Sequence, residues 1–301
     1  MLRAPAEYEV LTVTPSHDGV CAKHKIMRGS RHSAGMTRCT GAFSLVELSI
    51  VLVILGLLVG GVLSGQSLIR AAELRSLSAQ HQTITASIFS FRDKYFALPG
   101  DMTNATQFWG AAHATPATCR TTASTSALTC DGNGDGQIQT ADGGTTFSET
   151  FRAWQHLANA GLIEGQYTGV AASGGDLFNA IPGTNVPRTR VPNGGWSFTW
   201  WQNWVGDPNA FDGPYGNIIM LGARNTAGGG SITHAPFLKG EEAWNLDTKL
   251  DDGKVAFGAI RGFKTSSSNA PNCATTSVST TAEYNLANPA MTCALVLIPG
   301  Y

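Results

Sequence analysis

From Leu48 to Leu63 the chain runs 16 residues without a charged side chain, and Glu47 is the one ionisable group between Phe43 and Leu63. Taken from Phe43, the apolar stretch has 21 residues, or about 32 Å of helix, which matches the hydrocarbon core of a bilayer. A chain with such a segment must place it in lipid or against other apolar helices. No second run of that length occurs among the 301 residues, so one membrane segment and one globular domain is the simplest division.

Charge gives the segment a direction. Residues 1 to 42 hold six Lys/Arg against three Asp/Glu, with Lys23, Lys25, Arg28, Arg31 and Arg38 next to the apolar run; residues 43 to 301 hold 14 against 18. This bias predicts a cytoplasmic N-terminus and an exported C-terminal domain. The mildly acidic remainder gives no reason to expect a nucleic-acid partner. Cys119, Cys130, Cys273 and Cys293 all fall in the exported part, an even set suited to an oxidising compartment. Of the three possible connectivities, Cys119 with Cys130 and Cys273 with Cys293 is preferred, because each pair closes a local Ser/Thr-rich loop. The second bridge would contribute about 3 kcal/mol by restricting the unfolded chain, and four free thiols is the alternative.

Residues 1 to 40 show no helical or strand periodicity and read as a leader, with Met27 and Met36 as alternative starts. A secretory signal carries its small-residue cleavage site after the apolar core; here the small pair Gly41-Ala42 comes before it. Phe43-Ser44-Leu45-Val46-Glu47 behind that pair, leading into an unbroken apolar helix, resembles the N-terminal signature of type IV prepilins and type II secretion pseudopilins. The resemblance implies cleavage between Ala42 and Phe43 by a prepilin peptidase, N-methylation of Phe43, and assembly into a helical filament of sister subunits. Glu47 then becomes the fifth mature residue, pairing with the amine of a neighbouring subunit. The family usually has Gly directly before the cut; Ala42 stands there instead, so cleavage after Gly41 is the alternative. Physics points to Glu47 independently. A carboxylate inside a membrane helix costs on the order of 2–3 kcal/mol near the centre and normally has a partner, the plain alternative being a place in the headgroup region.

Small-residue spacings at Gly56/Gly60 and Gly61/Gly65 allow close helix approach. In family pilins the place of Ser64 often holds proline and the helix loosens nearby; Gly60, Gly61 and Gly65 offer the same freedom. From Gln66 to Leu98 the pattern turns amphipathic, with Leu74, Leu77, Ile84, Ile88, Phe91 and Tyr95 at helical spacing, and Pro99-Gly100 ends it. One helix from Phe43 to Leu98 would be about 84 Å long. The stretch Tyr95 to Met102, with Asn104-Ala105-Thr106 and Phe108-Trp109-Gly110 after it, is similar to a segment of pilin-like proteins and reads as a turn that docks aromatic residues.

The head carries one metal-like pattern. Asp131, Asn133, Asp135, Gln137 (through its carbonyl) and Asp142 occupy the oxygen-ligand positions of an EF-hand-type loop, with Gly136 at the sharp turn, and predict a Ca2+ site of about 0.1–1 mM affinity. A Gly/Asp/Asn turn without metal is the competing reading. Leu246 to Gly253, with its paired aspartates, is a solvated helix end or a second cation site.

Thr146 and Glu149 form a capping box for a helix reaching Ala160. Strands are expected at Trp196 to Trp201, Ile218 to Leu221, Val255 to Ile260 and Ala294 to Ile298, and a helix at Pro236 to Leu250. The last two strands would bracket the Cys273–Cys293 loop, which resembles the variable disulfide-bound region of pilins. Trp196, Trp200, Trp201 and Trp204 either fill the core or form an aromatic surface for a glycan or a subunit. No Gly-x-Ser-x-Gly, His-Glu-x-x-His, Walker or zinc-type Cys-x-x-Cys pattern is present, and seven histidines are scattered, so no enzyme is indicated.

The expected architecture is α+β and pilin-like: a leader (1–42), a transmembrane assembly segment (43–64), an amphipathic helical continuation (65–98) and a head with a small antiparallel sheet (99–301). The expected role is structural, as a type IV pilus subunit, with a secretion pseudopilin as the alternative and a membrane-anchored binding module as the second. The expected partners are sister subunits, the peptidase, the inner-membrane assembly machinery and the lipid bilayer. The expected location is a bacterial inner membrane, head in the periplasm, followed by a cell-surface or periplasmic filament.

Overall fold

The computed structural model describes residues 20–21, 37–38, 44–139, 149–171, 180–202, 205–225 and 232–300. The Ala42–Phe43 cleavage site, Asp142, Thr146 and Trp204 lie outside them. The chain divides into two compact units, Met1–Ser67 and Leu68–Tyr301.

The first unit holds a two-residue antiparallel pair, β1 (Val20–Cys21) with β2 (Thr37–Arg38), and the beginning of α1 (Leu45–Tyr95, 51 residues). α1 continues without interruption through Gly60, Gly61 and Gly65, where an added Cβ would meet nothing. Its N-terminal part contains an 18-residue window long and apolar enough to cross a membrane, none of it buried.

In the second unit the rest of α1 buries Leu77, Ile84, Ile88 and Phe91, one face at helical spacing, with Leu74 and Tyr95 packed at its margin. Arg92 and Lys94 in the last turn complement the helix dipole. The helix stops at Phe96, whose φ of 54° no helix accommodates, three residues before Pro99. That face of α1 shares one core with a four-stranded antiparallel sheet in the order β3-β4-β8-β6, formed by Gly194–Trp201, Gly216–Ala223, Leu295–Leu297 and Ile260–Arg261. Pairing sets Trp196 against Leu221, Phe198 against Ile219 and Ile219 against Leu297. Alternation then sends Trp196, Phe198, Leu221, Leu295 and Leu297 into one core cluster, and Ile218, Met220 and Val296 into a second on the opposite face. Both faces of the sheet are therefore covered.

Two more helices complete the first core. α4 (Glu149–Asn159) inserts Phe151, Trp154 and Leu157, and Trp154 stacks on Phe198 at 4.1 Å between ring centroids. α5 (Gly240–Leu250) contributes Ala243 and Leu246. It is tied to α1 by a two-pronged ion pair, with Arg70 Nε and Nη2 each donating to a Glu242 oxygen at 2.7 Å. Two short helices, α2 (Ala105–Trp109) and α3 (Pro116–Cys119), precede α4, and a second small sheet pairs β5 (Leu238–Lys239) with β7 (Met291–Cys293). The expected strand from Val255 is shorter than its composition suggests: residues 255–259 form turns, and pairing begins at Ile260. The disulfides are Cys119–Cys130 and Cys273–Cys293, with Cα atoms 5.8 and 4.7 Å apart.

The tryptophans act mainly as filling. Trp196 is wholly buried, while Trp200 and Trp201 are half-buried. Trp201 sits edge-on to Tyr215 and Phe263.

α4 also does unusual polar work. Arg152 Nη2 donates to the carbonyls of Cys119 and Thr122, Gln155 Nε2 to those of Ser124 and Leu128, and Asn159 Nδ2 to that of Ala127. His156 Nδ1 accepts the Gly100 N–H at 3.0 Å, which leaves Nε2–H to donate toward Thr129 Oγ1 and the Cys130 carbonyl. Burial, then the Arg152 charge, hold this imidazole neutral with a pKa pushed down to about 3. Replacing Trp154 by alanine should remove about 3–5 kcal/mol of stability, measured as a lowered denaturant midpoint for the second unit's tryptophan signal.

Candidate functional site

Two regions hold the candidate functional residues, and they are built differently. At the start of α1, the Ser44 backbone N–H donates to Glu47 Oε2 at 2.9 Å, and the Glu47 N–H donates to Ser44 Oγ at 3.3 Å. This is a reciprocal capping box, Ser-x-x-Glu, which satisfies two of the helix's orphan donors. A glutamate in the first turn also faces the positive end of the helix dipole. Glu47 therefore has a local partner even in a single chain. Past it, every large apolar side chain from Leu48 to Leu63 is exposed.

The second region lies where the turn after α1 meets the Asp131 loop and the start of α4. Gly100, at φ 88°, presses so closely on α4 that a Cβ there would meet the Glu149 carbonyl at 2.5 Å; Gly132 packs as closely on the backbone of Gly100 and Asp101. That approach puts Asp101 inside the loop. Asp101 Oδ1 accepts the N–H groups of Gly134 (2.6 Å) and Asp135 (3.0 Å), and Oδ2 accepts that of Gly136 (3.0 Å). Glu149, from the first turn of α4, takes the Asn133 and Gln139 N–H groups on its two oxygens. The loop is thus wound around two buried carboxylates.

Asp135 joins them, and a carboxylate oxygen from each of Asp101, Asp135 and Glu149 lies within 4.8 Å of the others. Burial first, then the neighbouring carboxylates, push Glu149 up to about 7, and Asp101 is also raised, chiefly by burial. Asp101, Gly134 and Gly136 also line a cavity of about 860 Å3 whose other walls include Phe89 and Phe96. Asp101, Asp135 and Glu149 are the residues that could hold a divalent cation by their oxygen chemistry, and each of their carboxylate oxygens already accepts at least one hydrogen bond.

This differs from the ligand set expected from the loop alone. Asp135 is in the cluster. Asp131 is not: its two oxygens accept the Thr106 N–H (2.7 Å) and hydroxyl (3.0 Å), fastening α2. The Asn133 amide donates to Asp135 Oδ2, and the Gln137 N–H to Asp135 Oδ1. Asp101 and Glu149 were missed because they come from 34 residues before and 14 residues after Asp135; the only local signal was an aspartate directly behind a Pro-Gly turn. Tyr95 and Trp109 do dock as expected, with centroids 5.3 Å apart and Trp109 5.4 Å from His156.

A second acidic group, Asp247, Asp251 and Asp252, also gathers within 4.8 Å. Its oxygens are engaged in fastening turns. The Tyr284 hydroxyl donates to Asp247 Oδ2 at 2.9 Å, Asp251 Oδ2 accepts the Ala259 and Ile260 N–H groups, and Asp252 pairs with Lys254. It is a helix end in which Asp251 and Asp252 are exposed, while Asp247, expected to be solvated, is buried against Tyr284.

The chain matches no family model, no curated protein and no solved structure.

Asp247 is wholly buried, and burial raises its pKa to about 7 against the opposing hydrogen bonds from Tyr284 and Gly253. Its folded value lies above the unfolded one near 4, so the stability it contributes is present at low pH and is lost as pH rises from about 4 to 7. The expected slope is at most about 1.4 kcal/mol per pH unit. Asp247→Asn should flatten that part of a stability profile measured by denaturant titration.

Proposed function

We propose that this protein is a structural subunit of a type IV pilus or pilus-like filament, inserted in the membrane as a precursor, cleaved before Phe43, N-methylated there, and polymerised through α1. The observation that carries the proposal is the character of α1. Its first part exposes an unbroken apolar surface, with a single carboxylate at the start, and that surface needs either lipid or sister helices around it. The α+β head, stapled by two disulfides, suits an exported domain. A secretion pseudopilin shares every one of these features and differs in where the filament ends, so fibres at the cell surface separate the two.

In this reading Glu47 has two successive partners: the Ser44 N–H within one chain, and the Phe43 amine of a neighbour in the filament. Calcium, bound by Asp101, Asp135 and Glu149, would neutralise the carboxylates that the loop buries and so lock the turn after α1 to α4.

Sequencing the N-terminus of the mature protein should give N-methylated Phe43; an intact leader would overturn the filament reading in favour of a simple anchor. Glu47→Gln separates the glutamate's two roles, because Gln keeps the capping box and loses the charge. Membrane insertion should persist and filaments should be lost, whereas normal filaments from this variant would eliminate charge pairing. For the cation, millimolar Ca2+ should raise the melting temperature, by about 4–8 °C per kcal/mol at the smallest domain sizes and less for this head. Asp101→Asn should abolish the rise.

A further inference from the structure

Away from the carboxylate cluster, two cavities meet at Gln80. One, of about 880 Å3, lies between α1 and segments 161–167 and 183–190, with Trp196 in its wall. The other, of about 900 Å3, lies beside Pro192 and Arg224. Gln80, Arg188 and Arg190 line both, and Gln80 Nε2 reaches the Arg188 carbonyl at 3.5 Å. Each cavity has the volume of an ordinary small-ligand site, roughly 300–1,000 Å3.

Their charge is one-sided. The second cavity has three arginines and no carboxylate; the first adds only Glu164. None of Arg188, Arg190 and Arg224 forms an ion pair among the described residues, although the chain as a whole balances 20 basic against 21 acidic side chains. Guanidinium forks match flat oxyanions, carboxylates above all.

A separate observation narrows the chemistry. The indole N–H of Trp196 and the side-chain carbonyl of Gln80 are buried and have no hydrogen-bond partner, a state that native interiors rarely leave uncorrected. One atom needs an acceptor and the other a donor. A sulfate or phosphodiester oxygen is only an acceptor, whereas a hydroxyl is both. A hydroxyl would answer both atoms, and the arginines favour a ligand that also carries negative charge.

We propose that these joined cavities bind a segment of acidic polysaccharide of the uronic-acid type. Its carboxylates lie on Arg188, Arg190 and Arg224, and a ring hydroxyl enters between Gln80 Oε1 and Trp196 Nε1, with the Gln80 amide turning to admit it. This site is independent of α1's membrane segment and of filament formation.

The test is calorimetric titration of the full-length protein in detergent micelles with trigalacturonate. Saturable binding that weakens with added salt is expected. Arg188→Gln combined with Arg190→Gln, both exposed positions, should lower the affinity by about tenfold or more with the melting temperature unchanged. Methyl-esterified trigalacturonate, with the hydroxyls kept and the charge removed, should not bind. The proposal is overturned if trigalacturonate fails to bind, if the double variant binds it equally well, or if tripolyphosphate binds as tightly, since charge alone would then explain the site.

Discussion

A single helix that must satisfy two environments governs how this chain folds. Between Leu48 and Leu63 α1 is apolar all round and finds no cover, whereas from Leu77 to Phe91 it offers one apolar face and buries it. The second property makes the helix part of the head. Leu77, Ile84, Ile88 and Phe91 join Trp196, Phe198 and Leu221 in one core, together with side chains of α4 and α5. The helical side of the head's first core is therefore shared by α1, α4 and α5.

The loops of the head follow a second rule, in which irregular backbone folds around buried acids. Asp101 and Glu149 collect five N–H groups from residues 133–139, and Asp251 collects two from residues 259–260. Such loops have no ladder to satisfy their donors, and a carboxylate accepts several at once. The burial this requires raises Glu149 and Asp247 toward neutrality. At Asp247 the Tyr284 hydroxyl answers that tension; at the first cluster Asp101, Asp135 and Glu149 face one another within 4.8 Å.

What the sequence revealed and what it hid divide by range. The helix, its buried face, the β3 and β4 strands and the disulfide pairing were legible, because each depends on periodicity or on a short loop. Ser44-x-x-Glu47 was equally local; the membrane setting drew attention to the charge and away from the cap. The Arg70–Glu242 pair spans 172 residues, and the Asp101 contacts to the loop span 33 to 35; no pattern along the chain announces either. The loop's motif was read as a self-sufficient set of ligands, yet its N–H groups, rather than its side chains, set the geometry, and they needed acids from elsewhere. Trp196 was legible as core but not as the owner of an unanswered N–H.

The manner in which α4 grips the loop between Cys119 and Cys130 has one more consequence. Arg152, Gln155, His156 and Asn159 reach the carbonyls of Cys119, Thr122, Ser124, Ala127, Leu128 and Cys130, and a carbonyl is common to all twenty residue types. Except at the bridge and at Thr129, the fastening does not depend on side-chain identity. Side-chain replacements at positions 120–128 can therefore leave these main-chain contacts to α4 in place.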